Sequence, residues 1–289
     1  MSWDLSLAGL LIGLLVGMTG MGGGSLMTPL LVLLFGFKPT VAIGTDILHG
    51  AIFKSFGAWR HRRLGTVHAH LTLWMLLGSA PSSIAGVAFA SWLEQRYGDG
   101  FEDTAARILG AALIAGGLGF LLKTFVQGRE KSDAPFLLQR QDRVVAFLTG
   151  VGGGFVVGLT SVGSGTFFGL VMLLVFPLTA AKVVGTDIFH AAALLWVAGV
   201  SHLVAGNVDL VATGWLLIGS VPGVLIGSQV TVRLPDRLLR VGLATVLTLS
   251  GVKLLEAPSI VLAFVLAGGM ALVSVVAVRA PRPRPQTEI

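Results

Sequence analysis

Apolar residues run through this chain in stretches too long for the surface helices of a soluble domain. They fall at 5–37, 39–59, 68–92, 105–125, 144–176, 179–205, 210–232, 238–255 and 258–278. Crossing a hydrocarbon core takes about 20 predominantly apolar residues, so most of these segments predict one spanning helix each. The first and fifth are too long for one straight crossing. Each is broken by small and hydroxyl residues, Gly-Met-Thr-Gly-Met-Gly-Gly-Gly at 17–24 and Gly-Leu-Thr-Ser-Val-Gly-Ser-Gly at 158–165. The pieces flanking the first break, 5–18 and 25–37, each make about 20 Å of helix at 1.5 Å per residue. That length reaches past the midplane of a core about 30 Å thick and back again.

The pattern occurs twice. Gly44-Thr45-Asp46-Ile47-Leu48-His49 returns as Gly185-Thr186-Asp187-Ile188-Phe189-His190, an offset of 141. The same offset carries Gly17, Thr19, Gly22 and Gly24 onto Gly158, Thr160, Gly163 and Gly165, and His61 onto His202. It also carries Trp74, Gly78, Ser79 and Pro81 onto Trp215, Gly219, Ser220 and Pro222. Between Gly17 and Gly86, 22 of 70 ungapped positions are identical. Shared apolar composition would align Leu with Leu, but not Asp, His, Trp and Pro, so the chain is an internal duplication.

Basic residues choose between a broken crossing and a re-entrant hairpin for segments one and five. If both cross, the Lys and Arg of the loops divide 9 to 9 between the two sides. If both are hairpins and the N-terminus is outside, 15 fall inside and only Lys38, Arg96 and Lys253 outside. The positive-inside rule selects the hairpins. Each repeat then crosses three times, an odd number, so the halves are inverted. The expected fold is an all-α polytopic membrane protein of two inverted repeats. Each repeat is a re-entrant helical hairpin plus three spanning helices, and one extra C-terminal helix follows. Residues 1–127 form the first repeat, 128–142 a cytoplasmic linker, 143–256 the second repeat, and 257–289 the additional helix and basic tail. The N-terminus is expected outside and the C-terminus in the cytoplasm. Inverted repeats whose broken helices meet near the midplane form a transporter architecture.

Composition agrees. Of 289 residues, 54% are hydrophobic and 12% charged, with mean hydropathy +0.87, about half the charge of a soluble domain. The net charge of +6 follows from loop Lys and Arg, so it implies no nucleic-acid partner, only lipid headgroups at the membrane surface. The absence of Cys removes disulfides, thiolate chemistry and Cys-type metal sites. The first apolar stretch follows Asp4 rather than a basic region, and is expected to be retained structure. No Walker A pattern occurs, which disfavours ATP-driven transport by this chain. No metal or cofactor is expected.

The candidate chemistry lies at mid-span. Asp46 and His49 are three residues apart on one helix face, and Asp187 and His190 repeat them. Ionisable groups at that depth face a protein interior or a wet cavity. Helix capping and bonds to backbone carbonyls are the alternative uses. The Gly-rich breaks free backbone N–H groups at helix starts, where the helix dipole favours an anion; close helix packing is the alternative. The candidate substrate-binding residues are Thr19, Gly22, Gly24, Ser25, Thr45, Asp46 and His49 in the first half. In the second half they are Thr160, Gly163, Ser164, Gly165, Thr166, Thr186, Asp187 and His190. Thr28-Pro29 reads as the N-cap and first helical position of the returning arm, with Ser25 as an alternative start. Lys54 either snorkels to the interface or faces a cavity. The two Gly-Ser-x-Pro elements read as paired kinks.

The Gly-rich first segment, the Gly-Thr-Asp-Ile-x-His element and the Gly-Ser-x-Pro element, each present twice, resemble the TauE/SafE family of sulfite exporters. The resemblance covers segments one to eight. It implies an integral carrier in a cell membrane, a bacterial inner membrane, for sulfite, sulfonates or related sulfur-containing anions. The expected activity is secondary transport of a small anion by alternating access, with proton coupling through the His and Asp pairs left open. An anion channel or membrane scaffold is the alternative. An intramembrane hydrolase built on Ser164 and His190 ranks below both, because no third group orients them.

Overall fold

The computed structural model describes residues 2–19, 24–98, 100–125, 136–230 and 236–279, with the side chains at 2, 17–19, 24–25, 180, 227–230, 236–239 and 276–279 outside that description. Gly22 therefore lies outside the described residues, as do the side chains of Thr19 and Ser25.

Eleven helices and no strand occur among the described residues. The first half comprises α1 (Ser2–Thr19), α2 (Gly24–Phe35), α3 (Pro39–Arg63), α4 (Ala69–Tyr97) and α5 (Gly100–Phe125). The second comprises α6 (Arg140–Thr160), α7 (Phe167–Val175), α8 (Ala180–Val204), α9 (Leu210–Val230) and α10 (Asp236–Leu254), and α11 (Ser259–Arg279) packs on α10. Four helices, within α4, α5, α6 and α8, are long and apolar enough to cross a membrane. α3 has the length but carries Asp46, Lys54, Arg60, Arg62 and Arg63. Apolar side chains cover the outside, Trp3, Leu11, Trp92 and Phe264 among them, as lipid contact requires.

The sequence expectation of breaks near 17–24 and 158–165 is met by the ends of α1 and α6, and α7 is a short returning arm. One local reading changes. α2 already starts at Gly24, so Thr28 is not a cap and Pro29 lies inside the helix. Pro29 is the sixth residue of α2, past the first turn, and gives no N–H to the Ser25 carbonyl. Thr28 is left free to use its hydroxyl elsewhere.

The two halves interleave. α1 packs on α9 of the other half, and α6 packs on α4. These are one interface built twice. A Cβ on Gly219 would fall on the Ser6 carbonyl, and a Cβ on Gly78 on the Phe147 carbonyl, the positions 141 residues away. Gly9 meets Leu216 as Gly150 meets Met75, and Gly13 meets Ser220 as Gly154 meets Ser79. Backbones this close require glycine, the way helices associate where lipid removes the hydrophobic drive.

The same contacts fix directions. α1 runs parallel to α9, since residues 9 and 13 meet 216 and 220. α9 runs parallel to α3, since Asp209 N–H donates to Thr45 Oγ1 at 3.0 Å while Ser220 lies 2.8 Å from His49 further on. α1 and α3 thus point the same way, with α2 returning between them. By the equivalent contacts α6, α4 and α8 point the same way, with α7 returning between α6 and α8. α3 and α8 are antiparallel, with Leu48 against Gly199, Gly50 against Leu195 and Gly57 against Ile188. α5 and α10 are also antiparallel, through Gly110 with Gly251 and Gly117 with Ala244.

Candidate functional site

The centre of the molecule is where α3 and α8 cross, and both Asp-x-x-His pairs are buried there. Asp46, His49, Asp187 and His190 are each at most 3% exposed. Buried polar groups need partners, and those of the histidines come from the opposite half. His49 Nε2 shares a 2.8 Å hydrogen bond with Ser220 Oγ, and His190 Nε2 a 2.9 Å bond with Ser79 Oγ. The Gly-Ser-x-Pro elements, read from sequence as kinks, therefore supply the hydroxyls that hold the histidines. α4 and α9 each continue through their prolines, Pro81 and Pro222. Removing one hydroxyl leaves a buried imidazole nitrogen without its partner, at a cost of about 1–3 kcal/mol. Ser79→Ala and Ser220→Ala should each lower stability by that amount in a detergent-solubilised unfolding titration. Equal stability of both variants and the parent would show the bonds to be dispensable.

The two carboxylates differ in their surroundings. Asp46 Oδ2 accepts from Thr28 Oγ1 and, at 2.8 Å, from Ser161 Oγ, while Oδ1 is buried without a hydrogen bond to any described residue. The offset places Gly169 where the first half has Thr28. A Cβ there would meet Lys123 Nζ and Asp187 Oδ2, so the missing side chain admits an ammonium where the first half uses a hydroxyl. Lys123 is 6% exposed. The sequence reading counted it with the cytoplasmic loop cations; the structure buries it beside Asp187 instead.

Lys54 follows Asp46 by eight residues, about two helical turns, and so shares its face. It does not snorkel: it is 4% exposed, and Nζ donates to Ser164 Oγ at 2.9 Å. Asp46, His49 and Lys54 open onto a small cavity walled by Ile12, Val16, Met27 and Phe53. Ser164 belongs to the turn between α6 and α7. There Ser161 has φ of +62° and Gly163 φ of +108°, which reverses the chain within six residues. Ser161, Ser164 and Thr166 are buried, and Thr166 Oγ1 has no hydrogen-bond partner among the described residues. Thr160 Oγ1 turns back to the Val156 carbonyl at 2.7 Å. Gly165 lies in the same turn, just ahead of α7.

Thr45 and Thr186 stand apart from this cluster in role. Thr45 Oγ1 accepts from Asp209 N–H and Thr186 Oγ1 from His68 N–H, at 3.0 and 2.9 Å, so both hold the entries to α9 and α4. Ser164 is bonded to Lys54 and His190 to Ser79, so a serine–histidine nucleophile is not formed between them. His202, equivalent to the half-exposed His61, is buried and shares a 2.8 Å bond with the Gly158 carbonyl. Among the described residues no group of three or more His, Asp or Glu is placed to hold a metal. Sequence reasoning did not single out Thr28, Ser79, Ser220 and Lys123 as partners, and left Lys54 undecided.

Comparison with known proteins gives this arrangement a family. The model of the family described as "Sulfite exporter TauE/SafE" matches residues 5–254. "Probable membrane transporter protein YjnA" of Bacillus subtilis (strain 168) is 37% identical over 256 residues, covering 88% of this chain and all of the relative. "Probable membrane transporter protein YdhB" of the same organism is 24% identical, covering 85% of this chain and 96% of the relative. No solved structure matches. A duplicated, all-helical chain with apolar spans, matched over nearly its whole length, is a multi-pass membrane protein that belongs to the TauE/SafE sulfite exporter family of membrane transporters.

Proposed function

We propose that the protein is a secondary carrier moving sulfite, a sulfonate or a related small sulfur-containing anion across the cell membrane by alternating access between inverted halves. The observation that carries this reading is the central cavity. It sets a buried ammonium, Lys54, beside Asp46 and His49, and that ammonium reaches Ser164 of the hydroxyl-rich α6–α7 turn. A cation, hydroxyl donors and the start of a helix are what an anion needs once it has lost its water. The sulfur-containing substrate class rests on family membership.

Inversion is supported by the directions of equivalent helices. α3 with α8 and α5 with α10 are equivalent by the offset and antiparallel in contact. A twofold axis relating antiparallel neighbours lies across them, hence in the plane of the bilayer when they span it. In this reading α1–α2 and α6–α7 are the re-entrant hairpins, and α3, α4, α5, α8, α9, α10 and α11 cross. The N-terminus is outside and the C-terminus cytoplasmic. Proton exchange at Asp46, His49, Asp187 or His190 would couple flux to pH.

Proteoliposome flux of sulfite, sulfate, thiosulfate and sulfoacetate tests the function. A carrier gives saturable uptake and counter-exchange. Ion conductance without exchange would assign a channel, and no flux of any anion a scaffold. The chain has no Cys, so single substitutions report sidedness. Leu64, 62% exposed, sits on the turn after α3, and Val204, 84% exposed, is the last residue of α8. Leu64→Cys should react with an impermeant maleimide only from the cytoplasm and Val204→Cys only from outside. Reaction of both from one side would overturn the inverted arrangement.

A further inference from the structure

Besides the His49–Ser220 bond, three contacts fasten α3 at the centre, and two of them reach the α6–α7 turn. Lys54 Nζ donates to Ser164 Oγ at 2.9 Å, and Ser161 Oγ donates to Asp46 Oδ2 at 2.8 Å; the third is Thr28 on Asp46. The offset shows what the other half has in these places. Lys54 corresponds to Leu195, Ser161 to Gly20 and Ser164 to Gly23. No ammonium at 195 and no hydroxyls at 20 or 23 exist to fasten the first break in the same way. The two hairpins are chemically unequal.

Lys54 itself is under-used. An ammonium carries three N–H donors, and this one, 4% exposed, makes one hydrogen bond among the described residues, to a neutral hydroxyl. Asp46 and Asp187 attract it electrostatically, yet each has another partner: Thr28 and Ser161 bond Asp46, and the charge of Lys123 acts on Asp187. A buried ammonium with spare donors gains more from an anion than from a serine, because an anion adds an opposite full charge and further lone pairs for the remaining N–H groups. The apolar walls Ile12, Val16, Met27 and Phe53 leave the space beside it to a desolvated ligand.

Building on the carrier reading, we propose that Lys54 is both the anion's cation and a latch. It holds the α6–α7 hairpin shut through Ser164 and releases it when an anion takes the ammonium, so that this hairpin, and not α1–α2, is the anion-operated gate. The turn is built to move as a unit. It is short, it reverses at Ser161 and Gly163, and α7 is a nine-residue arm.

Val162, 2% exposed in the turn and not part of the latch, provides the readout. Val162→Cys is near-isosteric, and the rate at which purified protein reacts with a maleimide reports opening. Ser164→Gly in that background installs the residue the first half carries, so it removes the latch with least risk to folding. It should raise the labelling rate about tenfold with no anion present, as the loss of one charge-assisted hydrogen bond of ~1.5 kcal/mol predicts. Sulfate and sulfoacetate, unreactive toward maleimide, should raise the rate of the Ser164 parent toward that of Ser164→Gly and leave Ser164→Gly nearly unchanged. Lys54→Leu, the residue of the other half, should label fast without anion and lose the response. Equal labelling of Ser164→Gly and its parent overturns the latch, and that comparison holds even if no anion is carried. Slower labelling with either anion, or flux of an anion that leaves labelling unaltered, overturns the hand-over.

Discussion

Gly219→Leu and Gly78→Leu should each prevent the protein from reaching a stable folded state, while Gly214→Leu on the same helix as Gly219 should leave it intact. At 219 and 78 the new Cβ would coincide with a backbone carbonyl, of Ser6 and Phe147 respectively. No rotamer relieves a clash with backbone, so α1 must move away from α9, or α4 from α6. Overpacking a core with a flexible neighbour costs typically 1–3 kcal/mol; a rigid helix on the other side puts the cost here at about 3 kcal/mol or more. At Gly214 nothing lies within 4 Å of the added atom, and the side chain would enter lipid. Monodisperse elution in detergent and resistance to denaturant measure the difference. Parent-like stability of Gly219→Leu would mean that α1 does not dock on α9. The matched pair also tests the duplication, since both substitutions strike the same contact in different halves.

Lys123→Met should destabilise the protein by about 3–5 kcal/mol, and adding Asp187→Asn should restore much of the loss. Lys123 and Asp187 are 6% and 3% exposed, and both reach the space above Gly169. Removing one partner of a buried pair leaves an uncompensated charge, whereas neutralising both exchanges an ion pair for groups that tolerate burial. The double-mutant cycle isolates the coupling, because the two singles act on one interaction. A double variant no more stable than Lys123→Met alone would show that the ammonium stabilises something other than Asp187. Met suits the cycle, since it keeps the length of the lysine stem that crosses Gly169. Gly169→Thr, which copies the first half's Thr28, would crowd the ammonium and provides an independent check on the same site.

Much of this site was legible in the chain because ionisable residues are conspicuous in apolar segments. Asp46, His49, Asp187 and His190 could be placed at mid-span from hydropathy alone, and the structure buries all four. Their partners were not legible. Ser79 lies 111 residues from His190, and Ser220 lies 171 from His49. No helical period relates such positions, and serines are common in apolar helices. Lys123 ends an apolar segment, where a lysine ordinarily marks the cytoplasmic edge. It is buried because position 169 is glycine, a fact that has meaning only once α5 and α7 are in contact. Thr28 was misread as a cap because Thr-Pro is a strong local signal; α2 had already begun four residues earlier.

What the sequence determined by itself is what depends on local composition and on self-comparison. Segment lengths set the helices and their breaks, because a bilayer leaves only helices able to satisfy the backbone in long apolar runs. The offset of 141 set the duplication, because identical Asp, His, Trp and Pro positions do not arise from hydrophobicity. Tertiary structure alone decided how the halves use one another. The most extensive helix packing lies between the repeats; α1 crosses to α9 and α6 to α4 because glycines there let backbones touch. That exchange brings each histidine to the other half's serine. It also turns equal repeats into an unequal site, with Lys54 and its serine on one side and leucine and glycine on the other. Side chains 100 or more residues apart meet only through helix docking, and docking depends on shape across an interface rather than on any pattern along the chain.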